Sequence, residues 1–142
     1  MSKKVILNAR IISERLRPLA EAEPRTNALW LFGSHINGIV TPQSDVDLAI
    51  LPFEHLDFWD RMAISDEYAA ALNLNRVDFL DIHQTSILLR VNILRGLLIY
   101  ERNSLLVNKF LLETTKEARH NAYRREQSTK SYLQSLREEY RV

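Results

Sequence analysis

Two short apolar runs constrain this chain more than any other feature. Residues 28–32 read Ala-Leu-Trp-Leu-Phe and stop at Gly33, and residues 46–51 form a second run that carries Asp47 inside it. Apolar runs of five or six residues ended by turn formers read as buried strands, and such strands need helices to cover them. The flanking sequence supplies the helices. Ile6, Ala9, Ile12, Leu16 and Leu19 recur at three- and four-residue steps, which predicts an amphipathic helix over 5–19 ending near Pro18 and Pro24. Leu56, Trp59, Met62, Ala63, Tyr68 and Leu72 predict a helix over 55–73, and residues 86–95 another. Residues 77–82 and 97–100 have strand character, the latter as an edge strand.

After Asn103 the chain holds neither Gly nor Pro. Leu106, Phe110, Thr114, Ala118, Ala122, Leu133 and Leu136 keep a loose helical spacing, so one or two long helices are expected there. Residues 124–131 contain no apolar side chain and read equally as a solvated bend or an exposed helix face. The expected architecture is α/β (α+β): one domain over 1–142, a small mixed sheet with helices packed on it, and a helical C-terminal segment over about 103–142. At 142 residues and 46% hydrophobic content, such a chain can bury roughly 68–70% of its unfolded surface. The absence of cysteine excludes disulfides, thiolate metal sites and cysteine nucleophiles. No apolar run approaches the ~20 residues of a membrane span, and the N-terminus lacks a signal peptide's apolar stretch; a cytoplasmic protein is expected.

Net charge is +1, but it is unevenly spread. Residues 27–112 carry six basic against ten acidic side chains, whereas residues 113–142 carry seven against five. Chemistry is therefore to be sought in the acidic middle. There, Gly33-Ser34 directly follows the first apolar run, and Asp45 and Asp47 follow after ten residues. Aspartates two apart on a strand share a face and can hold the same cations. Like charges on a buried strand are costly unless cations or donors compensate them, which argues against a purely structural role. Glycine after a strand allows close backbone approach, and serine offers a hydroxyl and an N–H to a phosphate oxygen. A third carboxylate is expected on residues 76–81, where Asp78 and Asp81 fall on opposite strand faces, so only one can join the pair.

The pattern G-S-x10-D-x-D in Gly33, Ser34, Asp45 and Asp47, with Gly38 and Ser44 at favoured positions, resembles the nucleotidyltransferase superfamily that includes DNA polymerase beta, aminoglycoside nucleotidyltransferases and minimal nucleotidyltransferase (MNT) domains. Arg76-Val77-Asp78 looks like the strand bearing that superfamily's third carboxylate, and residues 93–101 look like the end of an MNT domain; the resemblance covers about 28–101. It implies the nucleotidyltransferase fold, with Asp45, Asp47 and Asp78 as catalytic metal ligands, Gly33 and Ser34 as phosphate-binding residues, ATP as substrate, and Mg²⁺, in two-ion form, or Mn²⁺ as cofactor. The minimal form is similar to antitoxins paired with HEPN toxins. The implied activity is transfer of AMP to a tyrosine of the toxin, within a toxin–antitoxin hetero-oligomer. The alternatives are an antitoxin that only masks its partner, or transfer to a small molecule such as an aminoglycoside. A membrane is not expected as a partner, nor is nucleic acid, although the C-terminal segment interleaves arginines with Tyr123, Tyr132 and Tyr140.

Among other candidates, His35 reads as a neutral, partly exposed turn residue and His55 as a helix start. His83 ends the third strand, and His120 lies on a solvated helix face. Arg76 and His83 fit the Arg-x(4–6)-His count of HEPN ribonucleases, but the intervening residues read as strand, and the match is rejected. Trp30, Phe32, Phe53, Phe58 and Trp59 are expected in the core, with Phe53 or Trp59 as alternatives for a base pocket.

Overall fold

The computed structural model describes residues 7–38 and 44–139. Helix α1 (Ala9–Ala22) leads into β1 (Thr26–Phe32), the short α2 (Ser34–Asn37), β2 (Asp47–Pro52) and α3 (Phe58–Ala71). Then come β3 (Asp78–Asp81), a 3₁₀ turn (Ile82–Gln84), α4 (Ile87–Leu94), β4 (Leu97–Glu101) and α5 (Ser104–Glu139). The strands form one mixed sheet in the order β3-β2-β1-β4. β1 is antiparallel to both β2 and β4, while β3 returns parallel to β2 through the α3 crossover.

All seven residues of β1 are buried, and the reason is that helices cover both faces of the sheet. Leu29 and Leu31 join Leu48, Ile50 and Ile99 on the face packed by α1 and α3. Ala28, Trp30 and Phe32 join Ala49 and Leu51 on the face packed by α4 and α5. A strand clamped in this way has no side to leave polar, so its sequence reads as an unbroken apolar run.

Helix α1 passes through Pro18 rather than ending there. Its stripe of Ile12, Leu16 and Ala20 is fully buried on either side of the proline, and that packing outweighs the one main-chain bond proline cannot make. The described helix begins at Ala9, where the Asn8 side chain accepts the Ile11 N–H at 2.9 Å; the start of the predicted helix at Val5 and Ile6 lies outside the described residues. Asp57 likewise caps α3 by accepting the Asp60 N–H at 2.7 Å, so His55 precedes the helix and does not start it. Helix α5 runs unbroken through 124–131, all exposed, so the bend is not formed. Its contacts with the body include Val107, Phe110, Leu111 and Thr114, and Glu117, which accepts from Arg90 of α4 at 3.2 Å.

Not every expected core aromatic is buried. Trp30 and Phe32 are, whereas Phe53, Phe58 and Trp59 are 44%, 56% and 76% exposed. Phe58 and Trp59 open α3 about a turn and a half before the first of its buried residues, Ile64, Tyr68 and Ala69, and they pack edge to face on each other at 5.3 Å. Two arginines join elements at the far end of the sheet. Arg25 pairs with Glu23 at 2.7 Å and with Asp60 of α3 at 3.1 Å. Arg102, between β4 and α5, donates to the carbonyls of Glu21, Thr26 and Glu23 at 2.7, 3.1 and 3.3 Å.

Candidate active site

The end of β1 and the start of β2 meet at Asp47. Antiparallel register sets it opposite Phe32, the last residue of β1, so Gly33 lies against its carboxylate. Gly33 has φ 80° and ψ −145°, a conformation side chains rarely adopt. A Cβ on it would also overlap the Asp47 carboxylate, so glycine is required here twice over. Ser34 heads α2 immediately afterwards, with the Gly38 N–H donating to its carbonyl at 3.0 Å.

Parallel register sets Asp78 directly beside Asp47. Both share the strand face of Ala49 and Leu80, which sets their carboxyl groups next to each other. Burial is the main force raising the Asp47 pKa to about 6; the hydrogen bond and charge of Asp78 add to it, and Asp45 contributes at longer range. Two half-buried carboxylates set side by side form a site short of positive charge.

Asp45 is placed differently from the strand expectation. The regular strand begins at Asp47, so the same-face rule for residues two apart does not extend back to Asp45, which is exposed. Among the described residues, no three His, Cys, Asp or Glu side chains converge on one point. Asp81 falls opposite Ile50 on the other face, is 3% exposed, and accepts the His83 N–H at 2.9 Å. It is spent on closing the turn after β3. His35, expected to be partly exposed, is buried; desolvation pulls its pKa below the ordinary range, opposed by a bond to the Asp45 main chain. It is therefore a neutral brace between α2 and the segment before β2. His83 packs edge to face on Phe110 at 5.5 Å, and His120 is exposed as expected.

Asp47 and Asp78 open into a cleft of about 630 Å³. Phe58, Arg61 and Met62 of α3 line one side, Leu89 and Asn92 of α4 the other, with residues 77–80 between them. Among the described residues, the Arg61 Nε is buried without a hydrogen-bond partner. Neither Arg61 nor Asn92 is singled out by the sequence, because helix periodicity is read from apolar positions. A polar residue's place on a cleft wall depends on how its helix docks against a strand.

A four-stranded mixed sheet presenting Gly33-Ser34 and an aspartate pair at one end defines a class, and the family comparison agrees. Residues 14–105 match the Polymerase beta, Nucleotidyltransferase family, and the chain belongs to that family. The probable protein adenylyltransferase MntA of Haemophilus influenzae is 40% identical over 58 residues, 41% of this chain and 51% of that protein; the match thus spans about half the length of the curated relative. A toxin–antitoxin crystal structure with AMP-PNP superposes with a TM-score of 0.66 at 25% identity, covering 89% of this chain and 99% of the other. An MNT antitoxin complexed with a tri-AMPylated Shewanella oneidensis HEPN toxin shares the fold, with a TM-score of 0.64 at 21% identity over 87% and 98% of the two chains. Among the described residues, no helix is long and apolar enough to cross a membrane.

Proposed function

We propose that this chain is an antitoxin of protein adenylyltransferase type, transferring AMP from Mg-ATP to a hydroxyl, a tyrosine, of a cognate HEPN ribonuclease toxin. The observation that carries the reading is the carboxyl pair Asp47–Asp78, set beside Gly33 at the mouth of a cleft. A pair held half-buried with one carboxyl raised to about 6 gains most from a bound cation. An all-oxygen donor set suits Mg²⁺, with Mn²⁺ as substitute. Asp47 and Asp78 would hold the metal, and Asp45, exposed just before β2, would have to turn inward to join them as the third ligand. When bound, the metal neutralises phosphate charge and lowers the acceptor hydroxyl's pKa.

The chain's own residues do the rest. Gly33 leaves room for a phosphate against the main chain, and Ser34 donates to the β- and γ-phosphates, aligning the α-phosphorus for in-line attack. Asp78 accepts the proton of the attacking hydroxyl. The new bond joins the acceptor oxygen to the α-phosphorus, the bond to the β-phosphate bridging oxygen breaks, and pyrophosphate leaves. The names of the similar proteins, a protein adenylyltransferase and the MNT partner of a tri-AMPylated toxin, support a protein acceptor.

Intact-mass spectrometry of the cognate toxin after incubation with this protein and Mg-ATP tests the reading. Each transfer adds about 329 Da, and the mass must stay unchanged when pyrophosphate release is blocked by a non-hydrolysable α,β-analogue. A toxin that binds but never gains mass would leave masking as its mode of neutralisation.

A further inference from the structure

We infer that the outer edge of β3 is the docking site for the acceptor, which adds to the sheet as an extended peptide segment and so brings its hydroxyl to the carboxyl pair. This rests on the transferase reading above and says how the protein substrate is held. β3 is an edge strand, and the bond from the Asp78 N–H to the Val46 carbonyl at 2.9 Å sets which of its main-chain groups are spent. In a parallel ladder the inward-pointing groups alternate along the strand. Asp78 and Leu80 therefore face β2, while Phe79 turns both its N–H and its C=O away from the sheet. The Val77 carbonyl points the same way and has only a long 3.5 Å bond from the Ser65 hydroxyl.

This free edge does not face open solvent. It lies between α3 and α4 in the 630 Å³ cleft, where Phe79 stands one residue from Asp78. Phe58 and Met62, more than two-fifths exposed, wall one side, and Leu89 walls the other. Exposed apolar side chains flanking main-chain groups that have no partner among the described residues are what strand addition uses: the backbone supplies affinity, and alternate side chains enter pockets. The Arg61 Nε, buried and unpartnered beside this edge, is a further donor for a carbonyl of the incoming segment. Gly33, which follows β1, and the outer edge of β3 flank Asp47 of β2 on opposite sides in the sheet order, so the triphosphate and the segment reach the pair from different sides, as in-line displacement requires.

Amide exchange read residue by residue by NMR tests the assignment in the intact protein. Adding the cognate HEPN toxin without ATP should slow exchange at Phe79 by about tenfold or more, whereas AMP-PNP alone should leave it unchanged. Phe79→Pro, which removes the outward N–H where an edge strand tolerates it, should raise the KM for toxin about tenfold with the KM for ATP unaltered. Phe79→Leu, which keeps the N–H but loses the ring contact with Tyr68 at 5.6 Å, should raise the KM for toxin several-fold less than Phe79→Pro. Protection by AMP-PNP alone would give the edge to the nucleotide base and overturn the inference. A toxin that binds and is modified without protecting Phe79 would overturn it while leaving the transferase reading intact. A toxin that neither binds nor gains mass would sink both.

Discussion

Asp47 shows how one residue can weaken the empty fold and still be the one on which the proposed chemistry turns. Its carboxyl is raised to about 6, chiefly by burial and then by Asp78. A group whose folded pKa lies above its unfolded one favours the fold only when protonated. That contribution is complete below the ordinary aspartate range and is lost as pH rises through about 6. Asp47→Asn should therefore melt at or above the parent at pH 7.5 in EDTA, with the advantage vanishing near pH 4. The same variant should lose about three orders of magnitude in AMP transfer, the scale of removing a charge that acts on the transition state. A lower melting temperature at pH 7.5 would contradict the account of its burial. Asp78 and Asp81 form the second residue-scale comparison. Asp78→Asn should stop transfer while calorimetry still detects ATP. Asp81→Asn should transfer normally and lose about 1 kcal/mol in denaturant melts, because an amide caps the His83 N–H less well than a carboxylate. An active Asp78→Asn beside an inactive Asp81→Asn would reverse their roles.

At the level of elements, the sheet end opposite the cleft depends on a fork of donors. Arg102 reaches three carbonyls on the α1–β1 connection, and the Asn27 side chain accepts the Asn103 N–H at 2.9 Å where α5 begins. A planar guanidinium can serve several acceptors in fixed directions, and an ammonium cannot reproduce that geometry. Arg102→Lys should cost about 1–2 kcal/mol in urea unfolding despite keeping its charge, with most of the Arg102→Ala effect already present. Equal stability of Arg102→Lys and the parent would show that charge alone suffices. Both faces of the sheet were legible in advance through continuous apolar runs. The passage of α1 through Pro18 was not, because local propensity speaks against it and only the burial of Ile12, Leu16 and Ala20 against the sheet outweighs that cost.

Across the whole molecule, the body and the distal part of α5 differ in what holds them. Beyond Asn121, the side chains described are exposed except for partly covered Leu136. The bonds there, such as Lys130–Glu126 and Gln134 to Glu138, stay within the helix. Ending the chain after Asn121 should therefore shift the thermal midpoint by no more than about 2 °C while lowering helical ellipticity; a larger shift would mean that the distal helix supports the body.

What the sequence determined by itself was local. Runs 28–32 and 46–51 had to be strands, Gly33 had to sit at a close approach, and Asp47 had to interrupt an otherwise apolar strand; each follows from period and residue type within a few positions. Tertiary structure decided which groups meet. Parity separated Asp78 from Asp81 but could not say which faced Asp47, since that depends on the register of two strands joined through a long crossover. The exposure of Asp45 depends on where β2 begins, and Arg61 and Asn92 enter the cleft only through the docking of α3 and α4. Local sequence carries the periodicity of each element, whereas register and docking are settled by burying both faces of the sheet at once.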